Sequence, residues 1–154
     1  MIKDKIQSCE RLLDKLGGLL SGPFLFAIRL YWGWQFFMAG KGKFGNMDHV
    51  AGFFESLSIP LPLASAYLVA IVETVGGLLL LLGLKSRLGA APLALTMVVA
   101  YLTAHRDAVV GIFSDPDLFF AQDPFLFLMM TVIVLCFGAG KFSLDYFLNK
   151  KRQS

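Results

Sequence analysis

The sequence predicts an all-α fold. It is a four-transmembrane-helix bundle with both termini cytoplasmic, an amphipathic N-terminal helix and short interfacial segments in the outer loops. Three observations predict it. Of 154 residues, 56% are hydrophobic and only 16% charged, against about 25% charged in an average soluble domain. The charges crowd both ends and leave long apolar blocks between them. The lysines and arginines also divide unevenly among the loops, as they do in chains that cross a bilayer with a fixed orientation.

Four blocks are long enough to span, near residues 23–44, 64–84, 88–105 and 124–140. A spanning helix needs about 17–25 mostly apolar residues. Gly22-Pro23 opens the first block, since proline is tolerated in a first helical turn. Pro60 and Pro62 end the loop before the second, and "GLKSRLG" turns the second into the third. Asp123-Pro124 opens the fourth, with Asp123 as N-cap, and Gly138 and Gly140 close it. No internal repeat is visible, and no proline is read inside a span core.

Residues 1–22 carry Cys9, Leu12, Leu13, Leu16, Leu19 and Leu20 at helical spacing and read as a helix on the cytoplasmic membrane surface. They lack the short apolar core and cleavage site of a signal peptide. Residues 23–145 form the membrane domain and 146–154 a basic tail. In the outer loops, "DHVAGFFESL" places Val50, Phe53, Phe54 and Leu57 on one face, and "AVVGIFSDPDLFF" is too apolar to stand free in water.

Lys3, Lys5, Arg11, Lys15, Lys85, Arg87, Lys141, Lys150, Lys151 and Arg152 fall on one side of the predicted spans. Lys41, Lys43 and Arg106 fall on the other, among Asp48, Glu55, Asp107, Asp115, Asp117 and Asp123. This is the positive-inside signal of an inner-membrane protein with both ends in the cytoplasm. It also accounts for the basic balance without nucleic acid, because no basic face with interleaved aromatics appears outside the termini.

"LVAIVETVGGLLLLLGL" sets Glu73 in hydrocarbon. A central carboxylate costs about 2.5–3.5 kcal/mol, and each Leu, Ile, Val or Phe returns about 0.3–0.6. Residues 64–84 hold eleven of these, so the helix inserts, but the carboxylate still needs a partner or a proton.

Helical spacing puts Arg29, Gly33, Phe36, Gly40 and Lys43 on one stripe of the first span. Ala66, Ala70, Glu73, Gly76 and Gly77 share a face of the second, and Ala91, Ala94, Val98, Tyr101 and His105 a face of the third. The small residues suit close helix approach. The polar members predict a narrow interior site of Lys43, Glu73, Tyr101 and His105 in the outer half of the membrane, with Arg29 closing its cytoplasmic end. Ionisable residues inside spans are functional candidates by default. An alternative is a structural Arg29/Glu73 ion pair that fixes helix register. Cys9 and Cys136 show no C-x-x-C, which argues against a dithiol relay. His49 and His105 lie in or near outer loops, so neither a bis-histidine haem in the bundle nor a buried zinc site is expected.

The segments "RLYWGWQFFMAGKGK", "ESLSIPLPLASAYLVAIVETVGGLLLLLGLKSRLGA", "YLTAHR", "FSDPDLFFAQDPFLFL" and "FGAGKFSLDYFL" occur in this order from Arg29 to Asp145. Together they resemble the DoxX family of four-helix membrane proteins, named for the membrane subunit of a thiosulfate:quinone oxidoreductase. Ala139 stands where the family commonly has proline. The resemblance implies a redox-associated membrane subunit that handles a quinone or a sulfur compound. Arg29, Lys43, Glu73 and His105 match the family motifs. In such a subunit Arg29 and Lys43 suit a sulfur oxyanion or a partner's carboxylate, and Trp32, Trp34, Phe36 and Phe37 suit the apolar walls of a quinone site. No tightly bound cofactor is expected. A soluble oxidoreductase or a second copy is the expected protein partner. A small transporter gated by Arg29 and Glu73, and a membrane anchor or assembly factor working through its loops, are the competing classes.

Overall fold

The computed structural model describes residues 2–152, and among them it contains helices and no strand. The helices are α1 (Ile2–Gly45), α2 (Met47–Ser56), α3 (Pro62–Leu82), α4 (Ser86–Ala104), α5 (Arg106–Val110), α6 (Pro116–Phe120), α7 (Asp123–Phe137) and α8 (Leu144–Arg152). α1 packs on α3, α3 on α4, α4 on α7 and α7 back on α1, which closes a ring of four helices. α2 lies against α3. α3 and α4 are long and apolar enough to cross a membrane, and α7 is apolar but only 15 residues long.

The first helix differs from the sequence expectation. Gly22-Pro23 does not begin a helix, because α1 runs through it for 44 residues. At 1.5 Å per residue that is about 66 Å, twice the roughly 30 Å of a bilayer core. The described side chains from Ile6 to Ser21 are exposed, and from Gly22 onward one stripe is buried. Pro92 likewise lies inside α4, so one proline does sit within a candidate span. The Thr96 hydroxyl donates to the Pro92 carbonyl at 2.9 Å in the turn that follows.

α1 and α3 are antiparallel and touch backbone to backbone. A Cβ on Gly77 would lie 2.8 Å from the Gly33 carbonyl oxygen, and one on Gly40 would lie 2.8 Å from the Ala70 carbonyl oxygen. Only glycine permits this approach, as in small-residue membrane interfaces. The faces read from sequence on α1 and α3 are the buried ones: Arg29, Gly33, Phe36 and Gly40 on the first, and Ala66, Ala70, Glu73, Gly76 and Gly77 on the second. On α4 the buried face is Ser86, Gly89, Ala90, Leu93, Met97 and Tyr101. The expected face with Ala91 and Val98 is rotated from it, and both of those residues are exposed.

α3 ends in a glycine-capped turn. Gly83 adopts φ 65°, its N–H donates to Leu80, and the Leu84 N–H donates to Leu79. These are the two bonds of a Schellman stop. The apolar core is Phe36, Leu80, Ala90, Leu93, Met97 and Val134.

Candidate functional site

Two polar clusters lie at opposite ends of the α1/α3 contact, and four of the five candidate residues divide between them. The first sits at the α3–α4 turn. Arg29 is 1% exposed. Its Nη1 donates to the Leu80 carbonyl at 3.2 Å and its Nη2 to the Phe142 carbonyl at 2.6 Å. Asp145 lies within electrostatic reach of the guanidinium. The Asp145 carboxylate accepts from the Lys85 N–H at 2.7 Å and the Ser86 N–H at 3.1 Å. It thereby caps α4 from sixty residues away, where a negative charge meets the positive end of the helix dipole. The Asp145 N–H returns to the Gly83 carbonyl at 2.9 Å. Arg87 adds a bond to the Cys136 carbonyl at 3.1 Å. This is a clasp that ties α1, the α3–α4 turn and the segment after α7. The expected Arg29/Glu73 pair does not form.

The second cluster holds Glu73. Lys43 Nζ donates to Glu73 Oε2 at 2.5 Å, with the lysine side chain 26% exposed and the glutamate 5%. The pair is reached by a cleft of about 370 Å³ between α3 and α4, under α2, a volume in the range of small-molecule sites. Phe53, Phe54 and Leu57 of α2 line it, together with Ile59. The amphipathic face of "DHVAGFFESL" therefore covers this cleft. His105, partly buried, stands at the end of the same lining.

Of the five candidates, Lys43, Glu73 and His105 meet around one cleft. Arg29 is in the clasp. Tyr101 is buried and packs edge-on to the His105 ring at 6.1 Å, but it does not line the cleft. Its hydroxyl donates to the Phe119 carbonyl at 2.9 Å, and its ring stacks on Phe119 at 4.6 Å. It fixes α6 to α4 and does not share a hydrogen-bonding space with Glu73. The aromatic walls are also placed otherwise. Trp32 and Phe36 pack edge-on against Phe127 at 4.9 Å and 4.7 Å, Trp34 is exposed, and none of Trp32, Trp34, Phe36 or Phe37 lines the cleft. Its apolar walls come from α2, α3 and α4 instead.

Asp145 is the polar residue that sequence reasoning missed. A capping aspartate normally stands just before its helix, and this one is remote in sequence.

The DoxX family model matches residues 24–106 of this chain. Over 127 residues the chain is 30% identical to a Bacillus subtilis protein named "Putative oxidoreductase CatD", covering 82% of this chain and 88% of that protein. It is 36% identical over 136 residues to an uncharacterized membrane protein of Mycobacterium tuberculosis, with 84% and 83% covered. A Haemophilus influenzae protein of no stated function is 26% identical over 140 residues, with 88% and 90% covered. No solved structure matches.

Proposed function

This chain belongs to the DoxX family of membrane proteins, and on that premise we propose that it is a redox-associated membrane subunit binding a quinone or a small sulfur compound beside Lys43, Glu73 and His105. One observation carries the reading: a cleft with otherwise mostly apolar walls ends on a half-buried ion pair and a histidine. Structural ion pairs are common, but one that faces an open cleft of ligand size has unspent donors directed at whatever enters. The B. subtilis relative, named "Putative oxidoreductase CatD", supports the redox class.

Converting a quinone to its quinol takes two electrons and two protons. Both protons come from water, and His105 and Glu73 lie where each can take one up and hand it to a carbonyl oxygen. Lys43 orients the head through its ammonium donors. The electrons come from the sulfur compound or from a soluble oxidoreductase partner docked on the membrane domain.

The test is isothermal titration of the protein in lipid nanodiscs with ubiquinone-0, a quinone head without a tail, and in parallel with thiosulfate. At least one is expected to bind saturably, and Lys43→Met to weaken it ten-fold or more, about 1.4 kcal/mol. Absence of saturable binding for both overturns the reading.

In this proposal α1 from about residue 23, α3, α4 and α7 cross the inner membrane, with the clasp and both termini in the cytoplasm. The distribution of Lys and Arg supports that orientation. In a background with Cys9 and Cys136 replaced, Ser114→Cys should react with an impermeant maleimide added to intact cells, and Lys141→Cys should react only after lysis. Both positions are exposed. The reverse pattern inverts the topology.

A further inference from the structure

α3 and α4 are held close near their shared turn. A Cβ on Gly76 would lie 2.8 Å from Leu93 Cγ, and one on Gly89 would lie 3.1 Å from Leu79 Cβ. Farther from the turn the same two helices carry the walls of the cleft between them. Two of those wall residues are also the outer surface of the bundle: Leu68 of α3 is 65% exposed and Leu95 of α4 is 64% exposed. Met97, which is buried in the core, also lines the cleft, and Glu73 and Lys43 lie at its polar end. α2 covers it with phenylalanines. The cleft thus has apolar lips on the flank of two helices apolar enough to span.

Resting on the reading above, we infer that the ligand enters sideways from the bilayer between α3 and α4, and that it is a tailed quinone and not a water-borne sulfur anion. The tail lies along Leu68 and Leu95, in continuity with lipid, while the head reaches Lys43 and His105. Charge decides between the heads. Lys43 and Glu73 together are net neutral and leave N–H donors free on the ammonium, so a neutral head with two carbonyl acceptors is matched. A thiosulfate or a lipid phosphate would cross an apolar lip as an anion and then meet the Glu73 carboxylate, losing hydration without a net countercharge.

The experiment compares decylubiquinone with tail-less ubiquinone-0 on protein in nanodiscs of phosphatidylcholine and phosphatidylglycerol, with thiosulfate titrated alongside. Leu95→Trp narrows the mouth from one helix and Leu68→Trp from the facing one. Both changes sit on lipid-exposed positions, so either can stand in if the other misfolds. Each is expected to weaken decylubiquinone at least ten-fold more than it weakens ubiquinone-0, and thiosulfate is expected to show no saturable binding. Saturable thiosulfate binding without quinone binding, or equal effects of the tryptophans on tailed and tail-less quinone, overturns the lateral route while the cleft reading survives. Absence of binding by quinone and thiosulfate alike removes both.

Discussion

Arg29→Met is expected to lower the stability of the detergent-purified protein by about 3–5 kcal/mol, the range for removing one partner from a buried charged network. The side chain is 1% exposed and hydrogen-bonds two segments to α1, the end of α3 through Leu80 and the stretch before α8 through Phe142. Methionine keeps much of the volume but makes neither bond. The Leu80 carbonyl still receives the Gly83 N–H, so the larger loss falls on Phe142 and on Asp145, which faces the missing positive charge. The readout is twofold: the thermal midpoint, and the rate of tryptic cleavage at Lys141, which the clasp presents on its surface. Arg29→Lys should fall between parent and methionine, because an ammonium is a point charge and cannot make the forked pair of bonds to two carbonyls. A methionine variant as stable as the parent would show the clasp to be incidental.

The two clusters explain what was legible in the sequence. Periodicity found the buried faces of α1 and α3, because each sets glycine or alanine at helical spacing beside an ionisable residue, and a 3.6-residue repeat resolves such a stripe cleanly. On α4 the small residues Gly89, Ala90 and Ala91 are consecutive and so spread over roughly 200° of the helix, so composition could not fix the rotation, and the chosen face was turned from the buried one. Tyr101 belongs to both faces, but its partner is on α6, a five-residue helix that periodicity cannot register. Phe53, Phe54 and Leu57 were read as one face, yet nothing in their spacing says whether that face meets lipid or a cleft. The remote cap by Asp145 was hidden for the same reason that any long-range contact is hidden in a single sequence. The continuity of α1 through Gly22-Pro23 was missed because a Gly-Pro pair more often marks a boundary.

The pairing of Glu73 was within reach of geometry. Gly33 lies against Gly77 and Gly40 against Ala70, so seven residues along α1 match seven along α3 in reverse. In that register Glu73 stands opposite Phe37. Arg29 is eight residues from that level, roughly 12 Å at 1.5 Å per residue. Side chains lean toward the N-terminus of their own helix, and for Arg29 and Glu73 in antiparallel helices the lean carries the two groups apart. Lys43 is six residues away on the other side, roughly 9 Å. Its lean carries it down toward Glu73 while Glu73 leans up toward it. A long flexible stem closes the rest.

That geometry makes the two partners unequal, and the second large effect follows from it. Lys43→Met is expected to destabilise by about 3–5 kcal/mol, because it leaves a carboxylate that is 5% exposed without its cation. Glu73→Gln is expected to cost far less, on the order of 1–2 kcal/mol, for two reasons. The amide keeps an acceptor for the lysine, so a neutral hydrogen bond replaces a charge-assisted one. The lysine, 26% exposed at the cleft end of α1, can also swing its ammonium toward water on its four-carbon stem. The double variant Lys43→Met with Glu73→Gln should recover most of what the lysine change alone loses, since the stranded charge is gone. Thermal midpoints of the three proteins in one detergent complete the double-mutant cycle. Equal losses for the two single changes would mean that the lysine is as confined as the glutamate, and a double variant no better than Lys43→Met would mean that the carboxylate has another partner.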